Sequence, residues 1–495
     1  MQKAKQKIVD AEQQVNDILK EHRELLPKIN QIHDPISRLL PPEIISSVFQ
    51  FCIPHIPFDT NASADSDVDE VWADVISRLS LGAVCHGWRR VAWSTPQLWQ
   101  YVLINLDVMD LRRNVKVIRE WLGRSCKLPL AIRMYSYEIP EESTELYDAI
   151  SMINRESSRW QMLDLRVSSW FTSRFIGDPE ESGLSILQSL RLENAPYDYD
   201  VGFQRKNTIS RPNNVFLTRV RYKTVVIQWD SVTWVEAEEF YLRECLELLR
   251  NAPQIRHCRL SDLKRSRNRF WRFHSLELLH ELLSQVNFPS LKRLVIEGAY
   301  GYHASDALVS FFKRSSCCLE VFIVVDTLYT SNDVLSVLEE VPSVIELELT
   351  AYRTLLDEEG NHSPQEFFKR LARASITKDV LHEEGKSSTF LPNLQILQFT
   401  ALHSFPWDLL PSIFGPISEL DKPHRRHLKS FHLHLQSDNH SGPSTAVIDK
   451  QSTINLVAIM KAGVDLKIGR SEPGHNNVLI DSINYHGIPY NWKIS

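Results

Sequence analysis

What this chain lacks narrows it quickly. No apolar run approaches the roughly 20 residues that a membrane-spanning helix needs. The opening Met1-Gln2-Lys3-Ala4-Lys5-Gln6-Lys7 passes into an amphipathic pattern without the apolar core of a secretory signal. There is no surplus of positive charge. The 56 Lys and Arg stand against 62 Asp and Glu, and a net charge of −6 draws in neither nucleic acid nor an anionic lipid surface. Cysteines number only 7, scattered and odd, which argues for reduced thiols in cytosol or nucleus and against a disulfide framework. No glycine-rich phosphate loop followed by Lys occurs, and no Gly-x-Ser-x-Gly elbow. Asp65-Ser66-Asp67-Val68-Asp69 opens like a calcium loop, but Glu70 stands where Gly is needed and Ile76 where the bidentate Glu belongs. No cofactor, metal or catalytic residue is expected.

What is present is ordinary in bulk, with 43% hydrophobic and 24% charged residues. A chain of 495 residues is too long for one core unless it is a repeat array. Its first segment, 1–33, carries Ile8, Ala11, Val15, Ile18, His22, Leu25, Ile29 and Ile32 at a/d heptad spacing. Pro27 should kink or end this helix. The helix is expected to pack back on the neighbouring helical segment, with dimerisation as the alternative, and His22 is read as a tolerated polar residue.

Two further stretches carry the most information. Pro41-Pro42-Glu43 suits a helix start, and Ile44, Ile45, Val48, Phe49 and Cys52 then form one apolar stripe. Leu81, Val84, Cys85, Trp88, Val91 and Ala92 form a second, stopped by Pro96 before Leu98-Trp99. Between them, residues 53–72 hold Pro54, Pro57 and a run of acids, and are expected to be a solvated insertion. The pair resembles an F-box of the large fungal F-box-like families: Leu40-Pro41-x-Glu43-Ile44, then Val84-Cys85-x-x-Trp88-Arg89 and a closing Leu98-Trp99. The resemblance implies a module at 34–105 that docks the Skp-type adaptor of a cullin–RING ubiquitin ligase. It implies that Leu40, Pro41, Glu43, Ile44, Ile45, Val48, Phe49, Val84, Cys85, Trp88 and Leu98 form or support that interface. Ile44 and Phe49 are expected as its central anchors. The chain would then be a non-catalytic receptor that brings an unidentified client protein to the ligase. A plain two-helix element in an ordinary helical domain is the alternative.

From 106 to 495 the texture changes. The pattern apolar-x-x-apolar-x-apolar recurs, as at Trp160/Leu163/Leu165, Leu187/Leu190/Leu192, Leu217/Val220/Tyr222 and Ile255/Cys258/Leu260. It returns at Leu291/Leu294/Ile296, Leu319/Phe322/Val324, Val344/Leu347/Leu349, Leu394/Leu397/Phe399 and Leu428/Phe431/Leu433. The last two apolar positions of each alternate as strand residues do, and helix-like stretches lie between. Strand then helix, repeated, predicts an α/β fold: a helical F-box module followed by an irregular leucine-rich-repeat-like solenoid. The Asn expected at the turn after each strand is mostly missing, which leaves a non-repetitive α/β domain open. A repeat scaffold working outside any ligase is the functional alternative.

Three other features stand out. His424, His427, His432 and His434 cluster without nearby Cys or carboxylate partners, and are expected to be exposed histidines. Cys317-Cys318 is expected to be a buried structural pair. Lys264-Arg265-Ser266-Arg267-Asn268-Arg269-Phe270-Trp271-Arg272 mixes basic and aromatic residues as single-strand binders do, but is read as a solvated helix between repeats.

Overall fold

The computed structural model describes residues 2–52, 79–107, 111–136, 143–180, 184–194, 202–264, 275–297, 304–325, 331–350, 365–373, 390–401, 405–415, 428–435, 447–470 and 477–489. The acidic insertion, the basic run beyond Lys264, His424 and His427 lie outside these residues. The fold is α/β, and every described strand pairing is parallel. The chain divides into two units, one of residues 1–213 with 224–228, the other of 214–223 with 229–495. Among the described residues, no helix is long and apolar enough to cross a membrane.

The first unit begins with helices and ends with strands. The helix Gln2–His33 is followed by the short helix Ile36–Leu39 and the helix Pro42–Cys52. Residues 79–84 are helical, and the helix His86–Trp93 leads into a single 3-10 turn, Pro96–Trp99. Strands β1 (Tyr101–Asn105), β2 (Leu130–Tyr135), β3 (Trp160–Arg166) and β4 (Ser189–Glu193) then pair in chain order. The helices Leu111–Arg124 and Thr144–Arg155 connect successive strands and pack on one another. All five residues of β1 are buried, so the strand series starts inside the 34–105 segment.

The second unit repeats one step. Its strands are β5 (Asn214–Thr218), β6 (Trp234–Glu238), β7 (His257–Ser261), β8 (Arg293–Glu297), β9 (Val321–Val325), β10 (Glu346–Thr350), β11 (Ile396–Ala401), β12 (Ser430–Leu435) and β13 (Asp465–Arg470). They pair in chain order. Between strands run the helices Leu242–Asn251, Ser275–Gln285, Ala304–Ser315, Ser331–Glu339 and Gln365–Arg373, each in contact with the next.

Register makes the core. Val235, Cys258, Leu294, Phe322, Leu347, Leu397, Phe431 and Leu466 align across eight strands, and all are buried. Each buried Val or larger side chain is worth roughly 1.5–3 kcal/mol, so the row ties each of these strands into the core. A second device recurs at the strand entries. The carbonyl just before one strand accepts two successive amides at the start of the next: Thr233 from Arg256 and His257, Arg256 from Lys292 and Arg293, Lys292 from Glu320 and Val321, Glu320 from Ile345 and Glu346. The chain also leaves β5, β6 and β7 through the same left-handed backbone, at Arg219, Glu239 and Asp262 with φ of 57, 54 and 48°. Side chains help hold those exits, since Arg219 Nη1 lies 2.8 Å from Glu239 Oε1 and Lys264 pairs with the same carboxylate. Burial pushes Glu239 up, but Lys264 and Arg219 outweigh it and hold the carboxyl below its usual value. Here ion pairs occupy the turns where an Asn was expected.

Several expectations need correction. Residue 27 lies within the continuous helix Gln2–His33, so Pro27 does not end it. Proline inside a helix costs about 3 kcal/mol or more, and the helix nevertheless runs on through this position to His33. Nor does that helix lay its apolar stripe on its own protein, because Val15, Ile18, Leu25, Ile29 and Ile32 are exposed. The second apolar stripe spans two helices, since Cys85 is extended (φ −156°) and caps the second. Val220 and Tyr222 fall beyond β5, because the left-handed Arg219 turns the chain out of the strand. Cys317 is half-buried and Cys318 exposed, both as free thiols. The buried position at that strand entry goes to Leu319 instead.

Candidate functional site

The helical module centres on a residue that no sequence motif singled out. Asp34 is buried, and its carboxylate accepts from the Ile36 amide at 3.0 Å and the Ser37 amide at 3.3 Å at the start of the short helix. Its Oδ2 also takes the Trp88 indole N–H at 3.1 Å and lies 3.7 Å from Cys85 Sγ. Burial pushes this carboxyl up, but the donors from Ser37, Trp88 and Ile36 outweigh it and hold it below the usual carboxylate range. The signal was in the chain: Asp followed by Pro is how a capped helix begins.

Around Asp34 the module closes. Cys85 Sγ accepts the Trp88 amide at 3.4 Å, and the Trp88 ring lies 4.9 Å from that of Phe49. Ile45, Phe49, Cys85 and Leu98 are all buried, and Val84 and Trp88 are half-buried. Thr95 Oγ1 sits 2.8 Å from Val91 O and 2.9 Å from Ser46 Oγ, tying the Pro42–Cys52 helix to the helix end before Pro96. Trp99 Nε1 donates to Ala92 O at 2.8 Å, and its ring meets Trp121 edge-on at 5.5 Å. Arg124 lies over both Trp93 and Trp99, 4.1 and 4.9 Å from the ring centroids.

The same helix has a second apolar side. Ile44, Val48 and Phe51 are 49, 38 and 90% exposed, and Leu40 and Leu39 extend the ridge. At 100° per residue, Ile44, Val48 and Phe51 share a face about 100° round from Ile45 and Phe49. Pro41 and Glu43 are exposed at the head of this helix. The eleven residues expected at a docking surface therefore split. Leu40, Pro41, Glu43, Ile44 and Val48 are presented outward, Val84 and Trp88 are half-buried, and Ile45, Phe49, Cys85 and Leu98 hold the module together. Phe49 is 2% exposed and cannot be the contact anchor it was expected to be.

In the second unit the strand residues between the core rows form another surface. Glu236, Arg259, Glu348, Gln398 and His432 are half-buried at equivalent register positions, Val295 and Ile323 between Arg259 and Glu348 are buried and apolar, and Lys467, in register beside His432, is exposed. Arg259 reaches Glu297 at 2.8 Å. Burial pushes Glu348 up, the Thr350 hydroxyl lowers it in part, and nearby Glu346 and Glu297 push it further up. His432 Nε2 contacts Asp465 Oδ2 at 2.9 Å and Ser430 Oγ at 3.0 Å, while His434 on the same strand is exposed. Among the described residues, no three His, Cys, Asp or Glu side chains converge as metal ligands. Neither the protein-family models nor the curated proteins contain a match to this chain.

Proposed function

We propose that this chain is a substrate receptor of a Skp–cullin–F-box-type ubiquitin ligase, with the helical module as the adaptor dock. The exposed ridge of Leu40, Ile44, Val48 and Phe51 carries this reading. The helix already buries Ile45 and Phe49 in its own module, so the ridge is surplus to folding. Contiguous exposed apolar surface of that kind marks a contact site. The motif order Leu40-Pro41-x-Glu43-Ile44, then Val84-Cys85-x-x-Trp88-Arg89, supports an F-box as the module that bears it. The repeated strand step, with its shared entry hydrogen bonds and aligned buried row, supports a leucine-rich-repeat-like receptor domain after it. Its strand face, polar on either side of Val295 and Ile323, would meet the client. Such a receptor needs no catalytic group of its own, because the chemistry belongs to the ligase.

The test is co-expression with a Skp-type adaptor, followed by pull-down and titration calorimetry. Wild type should bind. Ile44→Ala or Val48→Ala should weaken binding by about 1–4 kcal/mol, as truncation of a central contact does. Leu184→Ala, at an exposed residue away from the module, should leave affinity unchanged. Failure of wild type to bind, or unchanged affinity in the ridge variants, would remove the F-box reading.

A further inference from the structure

The first helix turns its apolar side away from its own protein. Its end is held by polar side chains: Asn30 Nδ2 donates to Val84 O at 2.7 Å, and Gln31 Oε1 accepts the Gly87 amide at 2.7 Å. The fit there is close, since a Cβ at Gly87 would stand 2.9 Å from Ser37 Oγ. In the heptad frame with Val15 and Ile29 at a, Asn30 and Gln31 occupy b and c, outside the seam. The seam residues Val15, Ile18, Leu25, Ile29 and Ile32 are between 46 and 65% exposed. Leu19 and Leu26 at e are exposed beside them and widen the stripe. The module thus grips this helix by its polar side and leaves an apolar seam, interrupted at His22, in water, where it is costly until something covers it.

We propose that residues 8–32 form a parallel two-stranded coiled coil with a second copy of this chain. Over these residues the seam runs about 37 Å at the helical rise of about 1.5 Å per residue. A second copy fits because the column of a residues is Ile8, Val15, His22 and Ile29, β-branched but for one polar position. β-branched residues at a with Leu at d, as at Leu25, favour two strands, whereas Ile18 and Ile32 at d favour more. A single polar residue at a specifies register and oligomer state at a cost in stability, so His22 is what selects the pair. Parallel pairing puts His22 opposite its twin, where one neutral imidazole donates its N–H and the other accepts. Antiparallel pairing would bury it against an apolar d residue such as Ala11 or Ile18, with no polar partner. By sequence position, Lys7 at g and Glu12 at the next e carry opposite charges, and a parallel dimer places these two positions side by side across the seam. The outer face favours protein over lipid: Asp10, Asp17 and Glu24 line c, whereas a helix lying on an anionic membrane carries a basic polar face. A dimer would present two copies of the receptor surface, so a client with two matching segments would be held by avidity. The dimer does not rest on the adaptor reading, and either can stand without the other.

Sedimentation equilibrium on the full chain, from about 1 to 100 µM, is the test. Wild type should fit a reversible monomer–dimer. Ile18→Glu combined with Leu25→Glu should weaken association by at least about 100-fold, and hydrogen exchange across the strands of either unit should not change, because both side chains are exposed in the single chain. His22→Ile should tighten association by about 10-fold, since it replaces the one polar layer with a β-branched residue. Leu25→Cys, oxidised and mapped by peptide mass spectrometry, should link position 25 to position 25 of the second copy. A monomer at the highest concentration, a trimer, no effect of the double Glu variant, or a dimer without that symmetric cross-link would overturn the proposal.

Discussion

Asp34 should be the residue on which the helical module stands. Asp34→Asn keeps the size but replaces one acceptor oxygen with an NH2 group. Only one oxygen then remains for four neighbours: the Ile36 and Ser37 amides, the Trp88 indole and the Cys85 thiol. If that oxygen keeps the Ile36 amide, the new NH2 faces the Ser37 amide and the Trp88 indole N–H, donor against donor. Leaving a buried donor unpaired costs about 1–3 kcal/mol, and Trp88 is half-buried, so the lower part of that range applies to it. Asp34→Ala loses the cap as well, worth about 1 kcal/mol, and should cost roughly 2–4 kcal/mol in all. A 495-residue chain need not unfold in one step, so global melting is the wrong assay. Hydrogen exchange by mass spectrometry reads opening of the module locally. Peptides from 36–52 and 86–99 should lose protection by about 10- to 100-fold in Asp34→Asn, while peptides from β7 to β10 stay unchanged. The effect should also depend on pH. The folded carboxyl lies below its usual value, so its contribution is fully present above the unfolded pKa of about 3.9 and is lost as pH falls through the folded value. The gap between wild type and Asp34→Asn should be flat from about pH 5 to 8 and close below about pH 4. Unchanged protection in the variant, or a gap that widens in acid, would refute the reasoning.

The sheet was more legible than the site, for physical reasons. At Val344/Leu347/Leu349 a strand face buries alternate residues against helices, so the period of two stands out in the sequence. β6 carries the same pattern at Val232, Val235 and Ala237, all buried, but alanine gives too weak a signal to be counted as apolar spacing. β1 and β2 were invisible for the opposite reason. Tyr101-Val102-Leu103-Ile104 is buried on both faces, so no alternation exists to read. Arg219 and Glu239 could not be found as turn residues, because nothing in an Arg or Glu side chain advertises a left-handed backbone. At the module, the apolar stripe of the Pro42–Cys52 helix was legible but its division was not. Ile44 and Ile45 are chemically identical neighbours, and only packing decides that one is buried and the other exposed. The reach of Asp34 to Trp88 crosses 54 residues and leaves no local trace.

Three more outcomes are expected from the packing. Phe49→Ala should destabilise the module by about 3–5 kcal/mol, read as lost protection in 86–99, whereas Ile44→Ala should leave it within about 0.5 kcal/mol, as exposed positions do. In the native chain a maleimide should label Cys126 and Cys318 within minutes and spare Cys245 and Cys258. Burial pushes Cys258 up to about 12 and Cys245 well above its ordinary value, so neither offers thiolate. The last concerns Asp164 on β3, which is fully buried with Arg133 Nε at 2.6 Å and Arg166 Nε at 3.2 Å. Parallel register sets Arg133 of β2 and Arg191 of β4 directly beside it. Burial pushes this carboxyl up, but Arg133, Arg166 and Arg191 outweigh that and hold it below its usual value. Asp164→Ala would leave those guanidinium groups without their shared anion, and breaking a buried pair from one side costs about 3–5 kcal/mol. Urea unfolding followed by exchange in β2, β3 and β4 would measure it. Because the folded pKa is lowered, the wild-type advantage should hold at neutral pH and fade only as acid protonates Asp164 in the folded state. Replacing Asp164 together with Arg133 by apolar residues of similar volume should recover part of the loss. If Asp164→Ala costs under about 1 kcal/mol, the row is a solvated pair and contributes nothing to the first unit's core.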